Sequence, residues 1–286
     1  MKLAILLCAS MSSASALVHP GKVDVRQFHS RVLNADRTVR VWQPAHIRRG
    51  VRYSVLYLND GQNLFRDGDP DSGGGGWHVD DTTARLIDEH VVDPLIVVGI
   101  DSAGDESRGI DYLPPTADRY LQFVIDELMP FINKKYPTLV GPAHTGFGGS
   151  SYGAACAFYA VLSRLDVFGR LLLESPSVGA VNGMMLDRAK TMPRWPERIV
   201  IGIGTGEGRP STLREPQGRP EQGRGATGSG QAGGRGPSAV QTLGEILAHA
   251  GLGDNRLKVV VQEGGRHNEA SWASRFPDAL AFLFRR

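Results

Sequence analysis

Residues 143–162 read AHTGFGGSSYGAACAFYAVL, and the order of residue types within them decides the fold class. A short apolar segment runs into a glycine-dense turn, and small apolar residues, Ala154, Ala155 and Ala157, follow. That order spells strand, turn and helix. Gly149, Ser150, Ser151, Tyr152 and Gly153 match GxSxG, in which a nucleophile between strand and helix takes a strained conformation that only small neighbours tolerate. Ser151 would then stand at the carboxyl edge of a sheet. The positive end and free N–H groups of the next helix lie there, so a negative charge developing beside Ser151 would be stabilised. A glycine-rich turn at a close helix–strand contact produces the same pentapeptide, and in a chain with 36 glycines the pattern alone discriminates weakly. Its position between an apolar strand and a small-residue helix, midway along an alternation of both, favours the nucleophile elbow.

The alternation extends in both directions. Residues 23–33 and 38–43 alternate apolar and polar side chains around Asn34, Ala35 and Asp36, the signal of an antiparallel hairpin. Residues 53–58 (YSVLYL), 95–100 (LIVVGI), 171–173 and 198–203 (RIVIGI) are runs apolar enough for strands covered on both faces, and 257–262 reads as a further strand. Between them the sequence predicts a helix capped near Asp80 or Asp81 and ending about Glu89. A longer helix, capped by Thr116, runs to Lys135 with a kink at Pro130. Further helices are expected at 240–249 and from Asn268 to about Phe284, the last burying Ala270, Trp272, Phe276, Leu280 and Phe284. Residues 66–76 and 101–115 read as loops. The expected architecture is α/β: a central, mostly parallel sheet flanked by helices, with an antiparallel hairpin at its N-terminal side.

At 286 residues with 41% hydrophobic content, the chain supports one large core, so residues 17–286 are read as a single domain. Residues 208–238 interrupt it. Rich in Gly, Pro, Arg, Gln and Ser and nearly free of apolar side chains, they are expected to be a disordered insertion; its arginines could meet an anionic partner, though a solvated linker is the simpler reading. The 32 Lys and Arg nearly balance 30 Asp and Glu and are scattered, which argues against nucleic-acid binding. Residues 1–16, MKLAILLCASMSSASA, resemble a short signal peptide and imply a secreted or periplasmic protein. An organellar transit peptide, or a cytoplasmic chain, is the alternative. No later apolar run reaches the length of a membrane span. Of the two cysteines, Cys8 falls in that leader and Cys156 reads as a small core residue.

A serine hydroxyl needs a base within hydrogen-bond reach, and the base needs an acceptor that orients it. His267 follows the last expected strand and opens a helix, and it comes after Ser151 in the chain, as the order serine, acid, histidine requires. For the acid, Glu207 ends the strand between those of Ser151 and His267; Asp187, Asp254 and Glu174 are its rivals. Backbone N–H groups of Tyr152 and Gln62 would hold an oxyanion, Gln62 lying in the DGQN loop after residues 53–58. No metal-ligand spacing and no phosphate-cradling loop is present, so neither metal nor organic cofactor is expected.

With these residues placed, the chain resembles the putative esterase family of α/β hydrolases, which includes esterase D, feruloyl and enterochelin esterases and mycolyltransferases. The resemblance runs through YLNDGQNLF at 57–65, LIVVGID at 95–101, GIDYLPP at 109–115, GGSSYGA at 148–154, ESPSV at 174–178, GTGEG at 204–208 and GGRHNEASW at 264–272. It implies an α/β hydrolase fold, hydrolysis of a small-molecule ester, and nucleophile, acid and base at Ser151, Glu207 and His267. Tyr152 stands where many members have Met, which alters the pocket beside the elbow but not its backbone donor. An acyltransferase using the same acyl-enzyme, or a binding protein that kept the fold, would share this sequence pattern.

Overall fold

The computed structural model describes residues 19–65, 76–207 and 237–285. The leader at 1–16, and the loop 66–76 and insertion 208–238 except for Gly76, Pro237 and Ser238, lie outside the described residues.

One eight-stranded sheet runs in the order β1-β2-β4-β3-β5-β6-β7-β8. β1 (Lys22–Ser30) and β2 (Ala35–Gln43) are antiparallel. The turn between them ends at Asn34, whose φ of 52° is the left-handed conformation that asparagine tolerates. β2 pairs antiparallel with β4 (Leu95–Ile100), and from there the sheet is parallel through β3 (Ser54–Asn59), β5 (Thr145–Ser150), β6 (Arg170–Glu174), β7 (Arg198–Gly204) and β8 (Leu257–Gln262). This is the mostly parallel α/β sheet with an antiparallel hairpin that the alternation implied, and it fits the α/β hydrolase fold that the family resemblance implied.

Both faces of the sheet are covered, which is why the central strands are apolar throughout rather than at every second residue. Val55, Tyr57, Ile96, Val98, Leu171, Leu173, Ile199 and Ile201 point to one core. Leu56, Leu58, Leu95, Val97, Leu172 and Val200 point to the other. Against the first face lie α2 (Asp105–Tyr112), α3 (Ala117–Gln122), α4 (Met129–Lys135), α5 (Ser151–Ser163), α6 (Met184–Ala189) and α7 (Pro237–His249). α1 (Val79–Asp88) and α8 (Glu269–Phe284) cover the second. α5 is buried without a break from Gly153 to Leu162, and each fully buried Val, Leu or Phe there contributes about 1.5–3 kcal/mol.

Register sets where the chemistry collects. Asn59 pairs with Ile100, Ser150 with Glu174, Glu174 with Gly202 and Gly204 with Gln262, so the carboxyl ends of β3 to β8 finish along one rim. Ligands of open parallel sheets bind at that rim.

Several local expectations are corrected. The residue before α1 is His78, in the left-handed region and without a side-chain cap; Asp80 and Asp81 sit inside the first turn, where the helix dipole favours them. Thr116 precedes α3 but has helical dihedrals, so its hydroxyl bonds back to the Ile110 carbonyl at 2.6 Å instead of capping. Between α3 and α4 the helix widens to a π segment, Phe123–Leu128, just ahead of Pro130. Proline has no N–H and its ring crowds the preceding turn, and wider turns absorb that misfit. Residues 101–115 hold α2 rather than a loop. Pro237 and Ser238, expected in the insertion, already belong to α7. On α8, Ala270 is exposed; the buried stripe is Trp272, Arg275, Phe276, Ala279 and Leu280, continuing to Phe284.

Candidate active site

Ser151 is the first residue of α5 and follows β5 directly; its φ of 53° puts a non-glycine residue in the left-handed region. The packing around it leaves no alternative. A Cβ on Gly148 would meet Leu172 Cβ at 2.6 Å, and one on Gly153 would meet Asp60 Oδ2 at 2.9 Å and Asn59 Cβ at 3.0 Å. Strand, turn and helix therefore approach closely only because those positions lack side chains. The Ser151 carbonyl accepts the Ser177 N–H at 3.2 Å, which ties the elbow to the loop after β6.

Glu207 and His267 converge on the same place. Glu207 lies in the turn after β7 and His267 in the loop after β8. His267 Nδ1 is 2.9 Å from Glu207 Oε2. Glu207 is only 7% exposed, and its other oxygen, Oε1, accepts the Gly204 N–H at 2.8 Å and the Ser175 hydroxyl at 2.6 Å. Burial pushes this carboxyl upward, but the hydrogen bonds from His267, Ser175 and Gly204 outweigh it and hold it below the ordinary carboxylate range. An ionised Glu207 accepts only, so Nδ1 of His267 carries a proton, and in the neutral imidazole Nε2 then holds the lone pair. The Trp272 and His267 rings meet in a T-shaped contact at a 5.2 Å centroid separation, 83° between planes.

Ser151, Tyr152, Glu207 and His267 line one cleft of about 450 Å³, together with Ser175, Ser177, Leu113, Ile203 and the loop from Gly179 to Val181. No hydrogen bond joins Ser151 to His267 in this structure. Val181 holds a φ of 57°, unusual for a β-branched side chain, on the wall of that cleft.

The two oxyanion candidates part company here. Tyr152 is the second residue of α5, whose leading N–H groups have no acceptor within the helix, and it lines the cleft. Gln62 sits in the 3₁₀ turn Gly61–Asn63 after β3, its carboxamide engaged with Ser102 at 3.0 and 3.1 Å, and is not part of the cleft lining. Of the rival acids, Asp187 pairs with Lys190 on the surface and Asp254 is exposed. Glu174 is fully buried behind Ser175 and bound by Arg275 at 2.7 Å.

Two residues that support this arrangement, Asp60 and Ser175, lie within the 57–65 and 174–178 motifs but had no role in the sequence reading. Asp60 takes a bidentate pair from Arg108 at 2.9 and 2.8 Å and packs against the start of α5. Ser175 stands one residue past the end of β6, and that strand-end position is the signal that marks it. Cys156 is buried in the core with its thiol pushed up by that burial, an inert packing residue. Among the described residues, no group of three or more His, Cys, Asp or Glu could hold a metal ion, and no helix is long and apolar enough to cross a membrane.

The sequence pattern of the family described as "Putative esterase" matches residues 30–204, more than half of the chain. The chain belongs to the putative esterase family. That match includes Ser151 and ends before Glu207 and His267. Beyond the family pattern, the chain is 27% identical over 161 residues to the uncharacterized protein YjcH of Bacillus subtilis (strain 168), covering 55% of this chain and 63% of that relative. Among solved structures, an enterochelin esterase from Shigella flexneri aligns with a TM-score of 0.71 at 20% identity, over 96% of this chain and 63% of the other. A ferulic acid esterase from Anaeromyces mucronatus aligns at 0.67 and 18% identity, over 99% and 98%. At these identities the likeness to other esterases is one of fold.

Proposed function

We propose that this member of the esterase family is a serine esterase, hydrolysing carboxylic esters through an acyl-enzyme on Ser151. The observation that carries the reading is the 2.9 Å bond between His267 Nδ1 and the buried Glu207 carboxylate, in a cleft that Ser151 also lines. Glu207 fixes the tautomer that leaves Nε2 free to take the Ser151 proton, and it stabilises the imidazolium that results. As an ester seats, a small shift of the half-exposed imidazole brings Nε2 onto the hydroxyl; such bonds are commonly long before substrate binds. The hydroxyl oxygen attacks the ester carbonyl, and the Tyr152 N–H at the positive end of α5 receives the oxyanion. His267 then gives its proton to the departing alcohol. Water repeats the sequence on the acyl-enzyme and frees Ser151. The reading needs neither metal nor organic cofactor.

The test is turnover of 4-nitrophenyl acetate by the unmodified chain and by Ser151→Ala. Loss of the nucleophile lowers kcat by at least about 10³-fold, and His267→Ala lowers it comparably because the two act as a unit. A Ser151→Ala variant as active as the parent removes Ser151 from the reaction.

A further inference from the structure

Behind the Glu207 and His267 pair lies a buried chain of polar groups that the proposed reaction does not itself use. Ser175 is 3% exposed and Arg275 is 4% exposed, although one stands at the end of β6 and the other on α8. Ser175 Oγ meets three partners: Glu207 Oε1 at 2.6 Å, Trp272 Nε1 at 2.8 Å and Arg275 Nη2 at 3.3 Å. Elementary donor counting fixes the direction of every bond. An indole N–H and a guanidinium can only donate, so they occupy the two lone pairs of the hydroxyl. Its single proton is then left with one acceptor, Glu207.

Arg275 is pinned in turn. Its Nε donates to Glu174 Oε2 at 2.7 Å and its Nη1 to Gln262 Oε1 at 2.6 Å, so it cannot rotate away from Ser175 without abandoning a buried carboxylate. With Oε1 of Glu207 held by Ser175 and the Gly204 N–H, Oε2 alone faces His267. The charged groups facing this chain are Glu174 from β6, Glu207 after β7, His267 after β8 and Arg275 from α8.

We propose that Ser175 is a positioning residue for the reaction assigned above, its hydroxyl locked by Trp272 and Arg275 so that its proton holds Glu207 in place and tempers its basicity. The proposal rests on the serine-esterase reading. Without that proton, Glu207 keeps more of its negative charge for His267 and turns more freely. The imidazolium is then harder to deprotonate, and the free base is available only at higher pH.

The test uses Ser175→Gly in the full chain, because Ser175 has a φ of 46° that glycine adopts without cost. With 4-nitrophenyl acetate, kcat falls about tenfold while KM stays within about twofold, and the acid limb of the kcat/KM profile moves to higher pH. Trp272→Phe keeps the ring and deletes one of the two donors that aim the hydroxyl; it shifts the limb the same way by less. In the Ser175→Gly background Trp272→Phe adds nothing, since the hydroxyl it acts through is gone. If Ser175→Gly does not fold, Trp272→Phe in the otherwise unmodified chain carries the test. A kcat within about twofold of the parent with an unmoved acid limb overturns the proposal, as do effects of the two substitutions that simply multiply. Full activity in Ser151→Ala defeats the esterase reading itself, whereas an inactive Ser151→Ala beside an unaltered Ser175→Gly defeats only the role of Ser175.

Discussion

Ser151 keeps a left-handed backbone that costs a residue with a side chain about 1–3 kcal/mol, and it keeps it because the surrounding packing permits nothing else. Gly148 is the sharpest case. The methyl group of Gly148→Ala would press on Leu172 Cβ and on the Leu172 carbonyl oxygen, at 2.6 and 2.7 Å, and push β5 off β6. We expect Gly148→Ala to cost about 1–3 kcal/mol, read as a drop of several degrees in Tm by differential scanning calorimetry. At this scale the sequence was informative where backbone geometry dictates residue type: glycines at 148, 149 and 153 announce the elbow, and the chain order of Ser151, Glu207 and His267 follows from it. It placed Ser175 within the ESPSV motif at 174–178 but gave it no role. A serine is an ordinary residue in a strand-end loop, and only three-dimensional proximity to Trp272, 97 positions away, gives its hydroxyl a direction.

Among the elements, α8 and β6 are joined by the Arg275 and Glu174 pair, buried at 4% and 0% exposure. Glu174 Oε1 has no hydrogen-bond partner among the described residues, and burial pushes the carboxyl up to about 7 against the pull of Arg275. A folded chain that holds this proton above the ordinary value of 4.5 binds more protons than the unfolded chain between those limits, so Glu174 makes stability fall as pH rises from 4.5 to about 7. Glu207, held low, acts with the opposite sign below 4.5: its contribution is present above that value and lost as pH falls. The expected outcome is that Glu174→Gln flattens the decline of Tm between about pH 5 and pH 7, a difference on the order of 3 kcal/mol at the upper end. Strands β3, β4, β6 and β7 were legible as apolar runs because burial on both faces leaves a compositional mark. α2 was not: it starts after Gly104, contains Gly109, and is held by the pair from Arg108 to Asp60 and by the buried Tyr112 rather than by its own propensity.

Across the whole molecule, 32 basic and 30 acidic residues leave little net field, and among the described residues the cleft lining carries no charge beyond Glu207 and His267. Leu113, Ile203, Val181 and Ala180 give it apolar walls. An ester with a neutral acyl chain enters without penalty. One bearing a carboxylate gives up its hydration and meets no cation among the described lining residues. For 4-nitrophenyl butyrate against the hemisuccinate ester of 4-nitrophenol we expect kcat/KM to favour the butyrate by at least about tenfold, about 1.4 kcal/mol in the transition state. The sheet topology was readable in outline because alternating strands and helices admit few arrangements, and the hairpin set the antiparallel side. The shape of the cleft was not, because its walls come from loops whose conformations depend on distant contacts.

His267, Trp272 and Arg275 all lie within the final strand-to-helix passage of the described chain, whereas Ser151 is folded onto β5 by residues near its middle. A polypeptide emerging from the ribosome therefore carries Ser151 well before the base that would deprotonate it has been made. Under the esterase reading, a chain made only as far as β7 holds the nucleophile without its base, and reactivity waits for the passage from β8 into α8.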